Sequence, residues 1–161
     1  IAGATLVGQH LGAKNKNQAK RAGWGAMRLS IVSMTFFGVI IATFAEPLAR
    51  VMIDNDEVVR LTVIFIWLLG SMQPLMAIEF SLGGALRGAG DTKTPLAITL
   101  TCLLFIRVFL AVIFFLLDAS IEIIFSTLLA DYIVKGFLYV SRFRSDKWMN
   151  VLKIKEADHQ P

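Results

Sequence analysis

A glutamate, two methionines and a proline share one apolar run, "LTVIFIWLLGSMQPLMAIEFSLGGALRG", residues 61–88. An ionisable side chain inside such a run is costly in a bilayer unless paired or hydrated, and by default it marks an ion or substrate pathway. At 100° per residue, Met72, Met76, Glu79, Gly83 and Leu86 fall on one helical face. Thioethers are unbranched and polarizable and adapt to varied apolar ligands. With a carboxylate among them, the face suits an amphiphilic cation. Two other readings of Glu79 stand beside this one: a hydrogen bond to a neighbouring helix, and contact with lipid headgroups. Pro74 frees a carbonyl and kinks a membrane helix, either as a hinge or as a static bend.

Three more charges sit in later apolar runs. Arg107 and Asp131 both need partners, and each is the other's simplest choice. Lys135, four residues after Asp131, shares its helical face and also suits it. The segment "LGGALRGAGDTKTP", residues 82–95, reads as a tight turn between two helices. In it Arg87 and Asp91 are placed to pair and fix the turn. Its glycines allow close backbone approach. Thr94 is a candidate cap for the next helix, and Pro95 suits a first turn, where an N–H would lack a partner. The tail "SRFRSDKW" reads as an interfacial anchor, arginines at headgroups and Trp148 at the boundary.

Enzyme chemistry finds no foothold. There is no Gly-rich loop ending in Lys-Ser/Thr, no Ser-His-Asp set and no zinc spacing; "GAGDTK" lacks both that ending and a preceding strand. His10 and His159 are far apart, and Cys102 is the only cysteine. No metal site, cofactor or disulfide is expected. The net charge of +4 does not point to nucleic acid, because the basic residues are dispersed among apolar stretches.

The elements that position these residues follow from composition. Of 161 residues, 56% are hydrophobic and 17% charged, with a mean hydropathy of +0.67. Soluble domains carry about 45–50% apolar and about 25% charged residues. An all-α integral membrane protein is the class this implies. Four segments meet the roughly 20 residues needed to cross a bilayer: about 24–45, 58–86, 95–117 and 121–140. Residues 1–12 read as half a span ended by Gly12 as a C-cap, and 141–161 as a cytoplasmic tail. With the half-span descending to the cytoplasm, 13 of the 16 lysines and arginines fall inside, Lys135 among them. Arg50 and Arg60 fall outside, and Arg107 lies within a span. That asymmetry is the positive-inside pattern. It predicts a cytoplasmic carboxy terminus, and a cell (plasma or inner) membrane is the expected location.

Three segments, "LVGQHLGAKNKNQAKRAGW", "GGALRGAGDTKTPLAI" and the terminal "RFRSDKW", resemble the multidrug and toxic compound extrusion family of secondary transporters. So does "FAEPLARVMIDNDEVVRLTVIFIWLL" between the first two. The resemblance implies two six-helix bundles facing each other across a cavity, exchanging H⁺ or Na⁺ for cationic amphiphilic compounds. It further implies that this chain, residues 1–161, is the second bundle from within its eighth span onward, and that the amino-terminal bundle is its partner. Glu79 then corresponds to a tenth-span carboxylate, whereas Met76 aligns with the aspartate of the sodium-coupled branch. Arg107, Val108 and Phe109 replace an Arg-x-Pro of the eleventh span, which implies that its kink is absent. A lipid-linked oligosaccharide flippase and a truncated product that transports nothing are the rival readings.

Overall fold

The computed structural model describes residues 2–52, 54–118 and 120–151. They form α1 (Ala2–Gly12), α2 (Lys16–Thr43), α3 (Ala45–Met52), α4 (Asp56–Gly88) and α5 (Lys93–Thr101). A π-helical segment (Cys102–Val108) then runs into α6 (Phe109–Leu116), followed by α7 (Ile121–Arg144) and a 3₁₀ turn (Lys147–Asn150). No strand occurs among the described residues. Three helices are long and apolar enough to cross a membrane: Lys16–Thr43, Asp56–Gly88 and the continuous Lys93–Leu116. These overlap the first three expected spans, each starting earlier than expected and only Asp56–Gly88 also ending later. α7 has comparable length but carries Asp131 and Lys135 within it. The basic tail residues Lys153 and Lys155 lie outside the described residues, as does His159.

Two helix junctions share one construction. After α1, Lys14 takes φ 59, its N–H bonds to the Leu11 carbonyl, and the Asn15 N–H reaches back to His10. After α4, Gly90 takes φ 85, with Gly90 and Asp91 bonding Arg87 and Leu86 in the same pattern. This is the Schellman arrangement, which satisfies the last carbonyls of a helix. The following helix then starts at Lys16 after the first turn and at Lys93 after the second. The Asn15 side chain accepts from the Gln18 N–H at 3.1 Å, and Asp91 accepts from the Thr94 N–H at 3.3 Å. Two sequence expectations are corrected here. The left-handed residue is Lys14 rather than Gly12, because two further residues fit the turn before the chain reverses. At the start of α5 the N-cap position is Thr92 and the side chain that accepts a first-turn N–H is that of Asp91, whereas Thr94 already lies inside the helix.

The first expected span also ends early. Pro47 has no N–H to offer the Thr43 carbonyl, so the helix stops and restarts. The restarted piece, α3, turns Ala45 and Ala49 inward and leaves Leu48, Val51 and Met52 exposed. Its Arg50 ties back to Glu46 at 2.9 Å and forward to Asp56 at 3.0 Å.

α4 is the central helix, packed on α1, α2 and α7. Close approach at one point needs glycine: a Cβ on Gly88 would collide with the Ala4 backbone of α1. The core gathers at the end of the bundle where α1 and α7 finish, and includes Val7, Leu82, Leu86, Tyr139, Phe143 and Trp148. Trp148 is fully buried there. Its ring stacks on Phe143 at 4.6 Å and its indole N–H donates to the Phe143 carbonyl at 2.8 Å. The sequence expectation of a headgroup anchor is therefore corrected. The left-handed turn at Asp146 (φ 58) folds the tail back under its own bundle. Lys20 of α2 secures it, 2.7 Å from Asp146.

Candidate cation-binding site

One face of α7 carries a polar residue at nearly every turn: Asp131, Lys135, Tyr139 and Arg142. Their spacing of three or four residues aligns them along the helix. Each reaches a different neighbour. Arg142 holds Asp91 through two guanidinium bonds, 2.7 and 3.1 Å. The Tyr139 hydroxyl donates to the Pro95 carbonyl at 3.3 Å and shares a 3.1 Å bond with Thr99. Its ring fills the space beside Gly83, where a Cβ would stand 3.2 Å from the ring edge. α7 is thus tied to α4, to α5 and to the turn between them.

The deepest group on this face is the candidate site. The Lys135 Nζ donates to Asp131 Oδ2 at 2.8 Å and stands 3.9 Å from Glu79 Oε2 on α4. It also lies 5.3 Å from the centre of the Tyr132 ring. The Asp131 side chain is 0% exposed and that of Lys135 5%, whereas Glu79 retains 14%. Glu79 lies about 13 Å along α4 from its end at Gly88, at 1.5 Å per residue. One ammonium therefore serves two carboxylates. Asp131 Oδ1 and Glu79 Oε2 are both buried without a hydrogen-bond partner among the described residues. Buried polar atoms are normally satisfied, and an uncompensated carboxylate in a low-dielectric setting is costly. With all three groups ionised, Glu79, Asp131 and Lys135 sum to one negative charge, with Arg87 also within electrostatic reach of Glu79, and two acceptor atoms are left vacant. It can take up one further proton or cation.

The sequence-predicted residues divide accordingly. Glu79, Asp131 and Lys135 come together. Asp131 takes Lys135 as partner, not Arg107, because the i, i+4 geometry of a single helix brings the ammonium to it directly. Arg107 lies on the π-helical segment, within electrostatic reach of Tyr132. Arg87 does not pair with Asp91: Arg142 arrives from α7 and occupies that carboxylate. Lys135, counted by sequence among the cytoplasmic charges, is buried. On the methionine face, Met72 is fully buried and Met76 partly exposed. α4 runs through Pro74 without a break in helix. Beside it lies a groove of about 310 Å³ between α2 and α4, where Gly38 packs on the carbonyl of Gly70, four residues before the proline.

The π-helical segment, Tyr139 and the reach of Lys135 to Glu79 escaped the sequence reading. Extending the four-residue spacing from Asp131 and Lys135 one step further finds Tyr139. The π segment has no such signal: it widens the helix over Cys102–Val108. Such widened turns recur at functional sites. Cys102, buried at its start, lies within electrostatic reach of Asp131, Lys135 and Glu79.

Outside the apolar spans, Asp91 is held below the usual carboxylate range. Burial pushes its carboxyl upward, but the Arg142 and Thr94 hydrogen bonds and the Arg142 charge together outweigh it.

The chain is 33% identical, over 92% of its own length, to a probable multidrug resistance protein NorM of Thermotoga maritima. It is 31% identical over 63% of its length to a protein of the same description from Mannheimia succiniciproducens. With multidrug and toxin extrusion protein 1 of Xenopus tropicalis it shares 29% identity over 58%. It spans 32%, 22% and 16% of these relatives' lengths, respectively. These relatives are described as multidrug resistance or extrusion proteins, and the chain's apolar helices mark it as a multi-pass membrane protein. The family model MatE matches residues 1–113, and the chain belongs to the MatE family of multidrug and toxic compound extrusion proteins.

Proposed function

We propose that this chain forms the carboxy-terminal part of a cation-coupled exporter of cationic amphiphilic compounds. In this reading α7 is a fourth span, α1 completes a helix begun earlier, and an amino-terminal bundle faces the chain across a cavity. The two bundles rock about the site in alternating access. Glu79 is the coupling carboxylate: its partial exposure lets it exchange H⁺ or Na⁺ for a cationic substrate. Asp131 and Lys135 hold it in place and set the charge of the cluster. Met76, on the same face, adapts to the apolar body of the substrate, with Met72 supporting it from the packing. Pro74 is the bend about which the outer part of α4 moves. The observation that carries this reading is the single ammonium shared by two carboxylates, each with a vacant buried oxygen. An excess negative charge also favours a cationic cargo over an anionic lipid-linked oligosaccharide.

The test is a flux measurement. The transporter as expressed from its own gene is reconstituted in vesicles with a cationic dye, under an imposed proton gradient, an imposed sodium gradient, or neither. Dye movement driven by one of the gradients is expected. Movement indifferent to both contradicts the coupling. Orientation is tested by cysteines at Asn17 and Ser145, labelled from the cytoplasm only, and at Asn55, labelled from outside only. Labelling of Asn17 and Asn55 from one side contradicts it.

A further inference from the structure

The first turns of α2 carry a groove that the transport reading leaves unused. It is an open face lined by Asn17, Lys20, Arg21, Trp24, Gly25 and Arg28, all of α2. Lys20 is already neutralised by Asp146. Arg21 and Arg28 are exposed, and among the described residues neither has a carboxylate partner. They stand two turns apart, about 10 Å along the axis, close enough for two long guanidinium side chains to converge between them. The residue between them on this face is Gly25, and a Cβ there would meet nothing within 4 Å. Trp24 forms the wall, its ring held edge-on against Phe143 at 5.4 Å.

The same face changes character further along the helix. Continuing at 100° per residue, Val32, Phe36 and Val39 follow the arginines, and all three are at least 60% exposed. Two unpaired cations, a vacant space between them and an apolar ladder running on into the membrane match one kind of molecule. Guanidinium groups bind phosphate oxygens in forked geometry, tryptophan favours the level of the headgroups, and the ladder matches an acyl chain.

We propose that this face of α2 binds an anionic phospholipid, its phosphate seated over Gly25 between Arg21 and Arg28 and an acyl chain lying along Val32, Phe36 and Val39. The proposal rests on the membrane reading but on neither the coupling role of Glu79 nor the direction in which the chain faces. A bound lipid here would cover the charged end of α2 beside the Lys20–Asp146 latch and so stiffen the tail side of the bundle.

The experiment is native mass spectrometry of the delipidated transporter, as expressed from its own gene, titrated with phosphatidylglycerol or phosphatidylcholine. One phosphatidylglycerol is expected to bind in preference. The double variant Arg21→Gln, Arg28→Gln is expected to weaken that site about 25-fold, at about 1 kcal/mol for each cation near an anionic headgroup. Phosphatidylcholine binding is expected to stay as it was. Gly25→Leu, which fills the space without altering charge, is expected to abolish the preference, and Phe36→Ser to weaken it. Equal binding of the two lipids, or a preference unchanged in the arginine or Gly25 variants, overturns the proposal. It is also overturned if glycerol 3-phosphate competes as well as the lipid, since the apolar ladder would then contribute nothing. Inaccessibility of Arg21 and Arg28 to phenylglyoxal in the lipid-free protein would mean that protein covers this face, which overturns it too. Dye flux under an ion gradient, measured on the same variants, reports separately on the transport reading.

Discussion

Lys135 of α7 reaches across the helix interface toward Glu79 of α4, its Nζ standing 3.9 Å from Oε2 while its stronger bond, 2.8 Å, goes to Asp131. In the proposed reading the longer distance is the functional one. A tight Lys135–Glu79 pair would cancel the charge needed to attract a cation, and a missing lysine would leave two carboxylates repelling each other in the membrane. On that reading, the 3.9 Å spacing compensates Glu79 in part and leaves it free to exchange.

A double-mutant cycle tests that division of labour. Lys135→Met removes the only ammonium in the cluster and leaves a buried charge uncompensated, a change that typically costs about 3–5 kcal/mol. Asp131→Asn alone leaves the lysine with Glu79 as its remaining partner and is expected to cost less. The pair Asp131→Asn, Lys135→Met removes both charges and is expected to recover much of the stability lost by Lys135→Met. Thermal unfolding in detergent reads the three values. Additive losses would mean that the two groups do not form a unit.

The Asp91–Arg142 contact predicts an acid limit. Because the Asp91 carboxyl is held below its ordinary value of 3.8 in the folded chain, its contribution is present above that value. It is lost as pH falls through the lower, folded one. Asp91→Asn is expected to lower stability by about 1.5–3 kcal/mol at neutral pH, the usual worth of a hydrogen bond to a charged group. It is also expected to flatten the loss of melting temperature below about pH 4. The melting temperature is followed from pH 7 downward in both proteins. An acid limb of equal steepness in the variant removes Asp91 as its source.

Two glycines separate packing from helix propensity. Gly88→Ala places a methyl group against the Ala4 backbone and is expected to cost about 1–3 kcal/mol, as overpacking does. Gly84→Ala, with nothing within 4 Å of the added Cβ, is expected to be neutral or to stabilise α4 by up to about 1 kcal/mol. Melting temperatures of the two variants check both. The same sign for both changes would contradict the close approach of α1 to α4.

What the sequence showed and what it hid have physical reasons. Long apolar runs announce spans directly, because every backbone group in a bilayer must be satisfied within the helix. The grouping of Asp131 with Lys135 was legible for a similar reason, since i, i+4 spacing is a property of one helix. Partners on different helices were not legible: Asp91 meets Arg142 because α7 packs on the α4–α5 turn, and no local pattern encodes that. Trp148 shows the same limit. A tryptophan after a basic run fits a headgroup anchor, but a left-handed residue at Asp146 redirects it into the core. The apolar stretch around Cys102–Val108 gave no sign of its π-helical turn, because hydropathy is blind to how many residues fill a turn.

The measurement that bears most directly on the central claim is ion-driven dye export by Glu79→Gln in the transporter as expressed from its own gene. Glutamine keeps the size and hydrogen bonding of the side chain but cannot bind a cation by charge. At equal expression, the variant is expected to insert normally and lose most ion-driven export across pH, while Glu79→Asp keeps part of it with a shifted pH dependence. Export at the wild-type rate by Glu79→Gln, at every pH tested, would contradict the account and leave Glu79 as a structural hydrogen bond between α4 and α7.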